Sequence, residues 1–143
     1  MISVTKRYTD EDIPTLYRLE ELCFSRSLLW TKKDFPGALK KSDVYLAREK
    51  GVIVGFLLAE EQHKEGYIAT IDVHPDHRGK GIATLLIKEV EKDYKKKYKE
   101  MKLHVNVDNQ AQTLYFKLGY RVKAVKEHYY ADKTSALKMV KKL

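Results

Sequence analysis

One stretch, residues 65 to 90, constrains the fold more than any other part of the chain: EGYIATIDV, then HPDHRGKG, then IATLLIKEV. The first nine residues have the branched and aromatic content of a strand. A polar turn with two glycines, Gly79 and Gly81, follows, and from Gly81 onward Ile82, Leu85, Leu86, Val90 and Tyr94 recur at helical spacing. A strand that feeds a helix and then a further strand makes a βαβ unit with a parallel pair. The rest of the chain has to be arranged around that unit.

Before it, ISVTKRY (2–8) alternates as an opening strand, and Thr9 with Asp12 forms a capping box for an amphipathic helix to about Phe24, with Ile13, Leu16, Leu19 and Cys23 on one face. Thr31 and Asp34 repeat the signal for a second, shorter helix. The connection between them, FSRSLLW (24–30), is unusually apolar; Trp30 suits a buried position, and such a loop also suits the wall of a substrate groove. DVYLARE (43–49) and VIVGFLLAEE (52–61) read as a hairpin around Lys50 and Gly51. After the central helix come KLHVNV (102–107) as a strand, NQAQTLYFKL (109–118) as a helix stopped by Gly119, and YRVKAVKEHYY (120–130) and SALKMVKKL (135–143) as two closing strands. The order β, α, α, β, β, β, α, β, α, β, β predicts a mixed α/β fold: a seven-stranded, mostly antiparallel sheet with helices on both faces. No repeat or linker interrupts it, so a single domain over residues 1–143 is expected.

Composition narrows the classes. The single cysteine, Cys23, excludes an internal disulfide framework and a cysteine-based zinc cluster, points to a reducing compartment, and reads as a core residue. No apolar run approaches the roughly 20 residues that span a bilayer, and the first residues lack a signal-peptide pattern, so a soluble, cytoplasmic protein without membrane contact is expected. The net charge of +8 favours negatively charged partners: nucleic acid, an acidic polypeptide or a phosphate-bearing cofactor. The lysine-rich KDYKKKYKEMK (92–102) and KMVKKL (138–143) read as solvated faces of a helix and of the last strand. His74 and His77 have a metal-ligand spacing but stand in a turn without a cysteine partner, so no metal is expected.

Glycines opening a helix beside arginine and lysine suit an anion. A Walker A loop fails, since Gly79-Lys80 is followed by Gly81 and the position five before Gly79 is His74; a dinucleotide fingerprint fails at Thr84, where a third Gly or Ala belongs. Arg-x-x-Gly-x-Ala fits, as Arg78, Gly81 and Ala83. This resembles the acetyl-CoA site of the GNAT superfamily of N-acetyltransferases. The resemblance implies acetyl-CoA as cosubstrate, held by Ile71, Val73, Arg78, Gly79, Lys80, Gly81, Ile82, Ala83 and Thr84, with the N–H groups from Gly79 to Thr84 on its pyrophosphate and the N–H near Val73 polarising the thioester carbonyl.

The resemblance continues over roughly residues 43 to 143. Leu114, Tyr115, Gly119 and Tyr120 match the superfamily's Leu-Tyr-x-x-x-Gly-Tyr/Phe, which implies Tyr115 as the acid beside the CoA sulfur, in both cofactor binding and catalysis. The family's asparagine seven residues earlier falls on Asp108, with Asn109 one residue along, and one of the two takes that part. Tyr67-Ile68-Ala69-Thr70-Ile71, Leu103-His104-Val105 and Tyr129-Tyr130-Ala131-Asp132 resemble segments of the archaeal and eukaryotic N-terminal (Nα) acetyltransferases, whereas Lys133-Thr134-Ser135 departs from the Gly-Glu-Asp often found there. That likeness implies a proton relay through Tyr67 and His104 and a peptide groove closed by Tyr129 and Tyr130, with Tyr67 beside it; Asp72, a carboxylate near the end of the strand that should face the thioester, is the rival base, and the apolar connection adds Phe24 and Trp30 to the groove. The expected partners are protein or peptide N-termini, with a ribosome or an auxiliary subunit besides. Acetylation of lysine or small amines is the alternative on the same fold, and a non-catalytic nucleic-acid module built on 92–102 the weakest reading.

Overall fold

The computed structural model describes residues 1–24 and 30–143. Seven strands, β1 (Ile2–Thr5), β2 (Asp43–Glu49), β3 (Val52–Gln62), β4 (Glu65–Val73), β5 (Glu100–Asn106), β6 (Arg121–Lys126) and β7 (Ala136–Lys142), form one sheet in the order β1-β2-β3-β4-β5-β7-β6. Every neighbouring pair is antiparallel except β4 and β5, the pair flanking the long helix. The helices are α1 (Ile13–Cys23), α2 (Phe35–Lys40), α3 (Ile82–Tyr94) and α4 (Gln112–Lys117). The mixed, seven-stranded architecture expected from the sequence is the one observed.

Each sheet face buries its own core. Ile82, Leu86, Ile87, Val90 and Tyr94 of α3 pack on Tyr45, Ala47, Leu57, Ile68, Leu103 and Met139. On the other face Leu16 and Leu19 of α1 and Phe35 and Leu39 of α2 cover Val44, Leu46, Phe56 and Leu58. Full burial of each such aliphatic side chain contributes about 1.5–3 kcal/mol, which holds short helices that could not persist alone. Within α3 Ile87 is fully buried along with Leu86 and Val90, while Leu85, expected on that face, is only partly covered. Gly55 of β3 lets the start of α3 approach: a Cβ there would lie 2.8 Å from the Asp72 carbonyl oxygen and 3.2 Å from Ile82 Cγ2.

Element ends differ from the sequence reading for local reasons. The single helix expected from Thr9 to Phe24 is a 3-10 turn (Asp10–Asp12) followed by α1, because Pro14, which has no N–H to donate, belongs in a helix's first turn. The Thr9 N–H does donate to Asp12 Oδ2 at 2.9 Å, as in a capping box. β1 stops at Thr5, not Tyr8, and β6 at Lys126, not Tyr130, where a loop turns through His128 and Lys133 at φ 51 and 68. α4 begins at Gln112, not Asn109, because the Asn109 N–H bonds the Asn106 carbonyl and its Oδ1 accepts from the Ala111 N–H at 2.8 Å.

One irregularity creates the site. Leu58 pairs with Thr70 but Ala59 with Ile68, so Ala69 is an extra residue in β4, a β-bulge. The bulge reverses which side chains face which way: Ile71 and Val73 turn to the α3 core, and Thr70 reaches Glu20 on α1. Beyond it β4 leaves its neighbour, since β4 and β5 pair only over Gly66–Ile68 and Met101–Leu103. The parted strands open a cleft through the middle of the sheet.

Candidate active site

The cleft holds a cavity of about 1050 Å³ that runs from Arg78, Gly79 and Gly81 at one end, past Thr70, Val73 and Tyr115, to Tyr67, His104, Tyr129 and Tyr130 at the other. Phe24 and Trp30, which bound the α1–α2 connection, also line it; the rest of the apolar segment, residues 25–29, lies outside the described residues.

At the α3 end the wall is backbone. Gly79 and Gly81 take φ +80 and +78, in the left-handed region open mainly to glycine, and a Cβ on either would meet nothing within 4 Å. They form an open cradle whose floor is the first turn of α3, where N–H groups lack helical acceptors and the helix dipole is positive. This suits a pyrophosphate, and Ile82, Ala83 and Thr84 line the cavity there. Arg78 folds back over the cleft, with Nε 3.4 Å from the Val73 carbonyl oxygen and Nη2 3.7 Å from Cys23 Sγ. Lys80 departs from the expectation: its Nζ turns away to Glu49, 3.4 Å from Oε2, and to His77 Nδ1 at 3.2 Å, and it does not line the cavity. The carboxylate of β2 outcompetes an open cradle for that ammonium. Cys23 also departs from its reading as core, since it is half-buried on the cavity wall and its thiol donates to the Val73 carbonyl at 3.3 Å.

Tyr115 stands at mid-cleft on α4, and its ring meets that of Tyr120 edge-on, the centroids 6.2 Å apart. Burial, then the charges of Asp72 and Tyr130, hold its phenol above the ordinary tyrosine range, so it keeps its proton at neutral pH. Asp108 and Asn109 both line the cavity; Asn109 spends its Oδ1 on the Ala111 N–H.

At the far end the wall is side chains. Tyr67 and His104 stand on β4 and β5, and the Tyr67 hydroxyl lies 3.0 Å from His104 Nδ1. Tyr129 stacks on the imidazole at 4.7 Å and 24°, its hydroxyl 3.5 Å from the same nitrogen, and Tyr130 meets Tyr129 edge-on at 5.0 Å. Burial, then the charges of Lys126, Lys138 and Lys102, push the His104 pKa below the usual imidazole value, so the ring is neutral and Nδ1 is free to accept from Tyr67. Burial, followed by its tyrosine neighbours, pushes Tyr67 up and Tyr130 up to about 12. Asp72, the rival base, is fully buried behind the wall and does not line the cavity. Among the wall residues that escape the sequence reading are Glu20, Thr70 and Asn106. A polar Thr70 and Asp72, two apart at the end of an apolar strand, are the signal that a polar partner stands opposite.

No group of three or more His, Cys, Asp or Glu among the described residues could hold a metal ion, and no helix among them is long and apolar enough to cross a membrane.

The chain belongs to the acetyltransferase (GNAT) domain family, which matches residues 6–143. Along 97% of its length it is 27% identical to an uncharacterised N-acetyltransferase of Methanocaldococcus jannaschii, covering 91% of that protein. It is 38% identical to the NAA10 catalytic subunit of the N-terminal acetyltransferase A complex of Arabidopsis thaliana, over 70% of this chain and only 57% of the plant protein. The crystal structure of Ard1 from Thermoplasma volcanium superimposes with a TM-score of 0.89 over 99% of this chain and 97% of that one, at 20% identity, a likeness of fold. The protein is therefore a GNAT acetyltransferase.

Proposed function

We propose that the protein transfers acetyl from acetyl-CoA to the N-terminal α-amine of polypeptides. One observation carries the reading: the loop between β6 and β7 folds Tyr129 over His104, itself in contact with Tyr67, so that the acceptor end of the cleft is roofed by aromatics from a segment that resembles Nα-acetyltransferases. The similarity to the Arabidopsis catalytic subunit supports the same acceptor.

In this reading Arg78 and the N–H groups of Gly79 to Thr84 hold the pyrophosphate, and acetyl-CoA supplies the thioester. The acceptor enters past Phe24 and Trp30 beneath Tyr129 and Tyr130. An α-ammonium of pKa about 8 cannot attack until it loses a proton. Tyr67 accepts that proton as its own passes to His104 Nδ1. The N–H near Val73 polarises the carbonyl, and Tyr115, kept protonated, meets the departing sulfur. Substrates of this kind imply a cytoplasmic location, with the ribosome or an auxiliary subunit as partner.

The experiment uses two peptide panels with acetyl-CoA, one with free N-termini and blocked lysines and the other reversed, and mass spectrometry to place the label. The reading expects acetyl on α-amines. Label on lysines alone overturns the acceptor while keeping the acetyl-CoA site, and label on neither directs attention to small amines.

A further inference from the structure

A buried acidic cluster beside the cleft has no part in the chemistry described so far. Glu20 of α1 is 1% exposed and Asp72 of β4 is 0% exposed. The Thr70 hydroxyl stands between them, 3.2 Å from Glu20 Oε1 and 2.8 Å from Asp72 Oδ1. A hydroxyl has one proton to give, so both contacts are satisfied only if a carboxyl is itself protonated. Asp72 Oδ2 is buried and has no hydrogen-bond partner among the described residues, a setting that a neutral carboxyl tolerates better than an ionised one. Two carboxyls this close in a dry wall do not both ionise. Burial pushes both upward, Asp72 much further, with the Glu20 charge adding to it, while hydrogen bonds from Asp72 and Thr70 partly restrain Glu20. The pair thus carries one proton at neutral pH, on Asp72, and leaves Glu20 ionised.

Its position is functional. Glu20 and Thr70 line the cavity, and Asp72 precedes Val73 and stands near Tyr115. The other titratable or charged groups about the pair are Cys23, one helical turn beyond Glu20, and Arg78, which reaches the Cys23 sulfur. Tyr67 stands three residues before Thr70 on β4, about 10 Å at 3.3 Å per residue, with His104 beside it, so long side chains from both places converge on the same part of the cleft.

We propose that Glu20 is a second proton acceptor in the acetyl transfer, with Asp72 and Thr70 as its positioning residues. The proposal rests on an amine acceptor entering as described above. An ammonium that becomes an amide sheds two protons. The first leaves through Tyr67 and His104 and frees the nitrogen lone pair. As nitrogen bonds the carbonyl carbon and the carbon–sulfur bond breaks, Glu20 takes the second proton from nitrogen and Tyr115 gives its own to sulfur. The proton gained by Glu20 replaces the one lost by Tyr115 once it passes between them. One proton is released per turnover, and the site returns to its starting charge.

The test compares Glu20→Gln and Asp72→Asn with wild type on whichever peptide amine the wild type acetylates, measuring kcat against pH, CoA binding by calorimetry and the unfolding temperature. Glu20→Gln is expected to lower kcat by about 100-fold or more and to reduce the slope of the acid limb from two towards one, with CoA affinity within about twofold. Its unfolding temperature should be unchanged or higher, because a neutral amide replaces a buried charge. Asp72→Asn offers an N–H where the protonated carboxyl stood and should cost less than about tenfold, with the two-group limb kept. A Glu20→Gln enzyme with wild-type kcat and limb overturns the proposal, as does a loss of activity in both variants that merely follows a lowered unfolding temperature. Label on lysines in the wild type would overturn the α-amine reading, and the same comparison on a lysine peptide would still decide the role of Glu20.

Discussion

The two ends of the cleft are made of different material. At the α3 end, seven consecutive residues from Arg78 to Thr84 shape a cradle from backbone N–H groups and two left-handed glycines. At the His104 end, side chains arrive from β4, β5 and the β6–β7 loop, and Glu20 stands across from them on α1. A backbone cradle depends on local conformation and should fail by losing affinity. A side-chain assembly depends on strand register and proton placement, and should fail by losing rate.

The middle of the cleft gives the sharpest contrast and the largest expected effect. Tyr115→Phe keeps the ring against Tyr120 and removes only the proton, so kcat should fall about 100-fold or more while CoA affinity stays within about twofold. A wild-type rate would remove Tyr115 from the chemistry.

Next comes the relay. Tyr67→Phe breaks the 3.0 Å contact with His104 Nδ1, and a loss in kcat of about 10- to 100-fold is expected, with KM for acetyl-CoA unchanged. If KM for acetyl-CoA rose instead, the two ends of the cleft would be coupled and not separable into affinity and rate.

The α3 end should behave in the opposite sense. Gly81→Ala meets no neighbouring atom but forces an alanine to φ +78, a conformation costing an L-residue about 1–2 kcal/mol. The loop escapes that strain by leaving the cradle geometry, and CoA should bind about tenfold more weakly with kcat at saturation nearly kept. Smaller again is Tyr129→Ala, where the roof over His104 is 47% exposed: KM for the peptide should rise about fivefold and CoA binding should not move.

The same difference in material decides how much of the molecule is legible in its sequence. The strands, α3 and the cradle are legible because each is written in consecutive residues: alternation in β2, β3 and β4, helical spacing after Gly81, and glycines at the turn. Tyr67, His104 and Tyr129 emerge only through resemblance, since nothing local says that positions 37 and 25 residues apart converge on one nitrogen. Glu20 stays hidden because Glu20 and Glu21 are adjacent on an amphipathic helix, and spacing does not say which of the two turns inward; the bulge at Ala69, which aims Thr70 at α1, decides it. Lys80 is misplaced by local reading because its competitor, Glu49, lies 31 residues earlier on β2.

The smallest expected effect is electrostatic. Lys138 sits directly opposite His104 in the β5–β7 register, and its charge is one of three that, after burial, hold the imidazole below the usual value. A histidine kept neutral by the fold binds fewer protons than in the unfolded chain between its folded pKa and about 6.5. Stability is therefore fully present above that window, and declines as pH falls through it towards the folded pKa. Lys138→Glu replaces a repelling charge with an attracting one, raises the folded pKa and narrows the window. The unfolding temperature should then fall less steeply with acid than in wild type, while the acid limb of kcat moves up by about half a pH unit. In a His104→Gln background the same substitution should shift neither curve, because the group that senses Lys138 is gone; a limb that still moved there would belong to another titrating group, and the carboxylates on the wall are Glu20, Asp108 and Asp132.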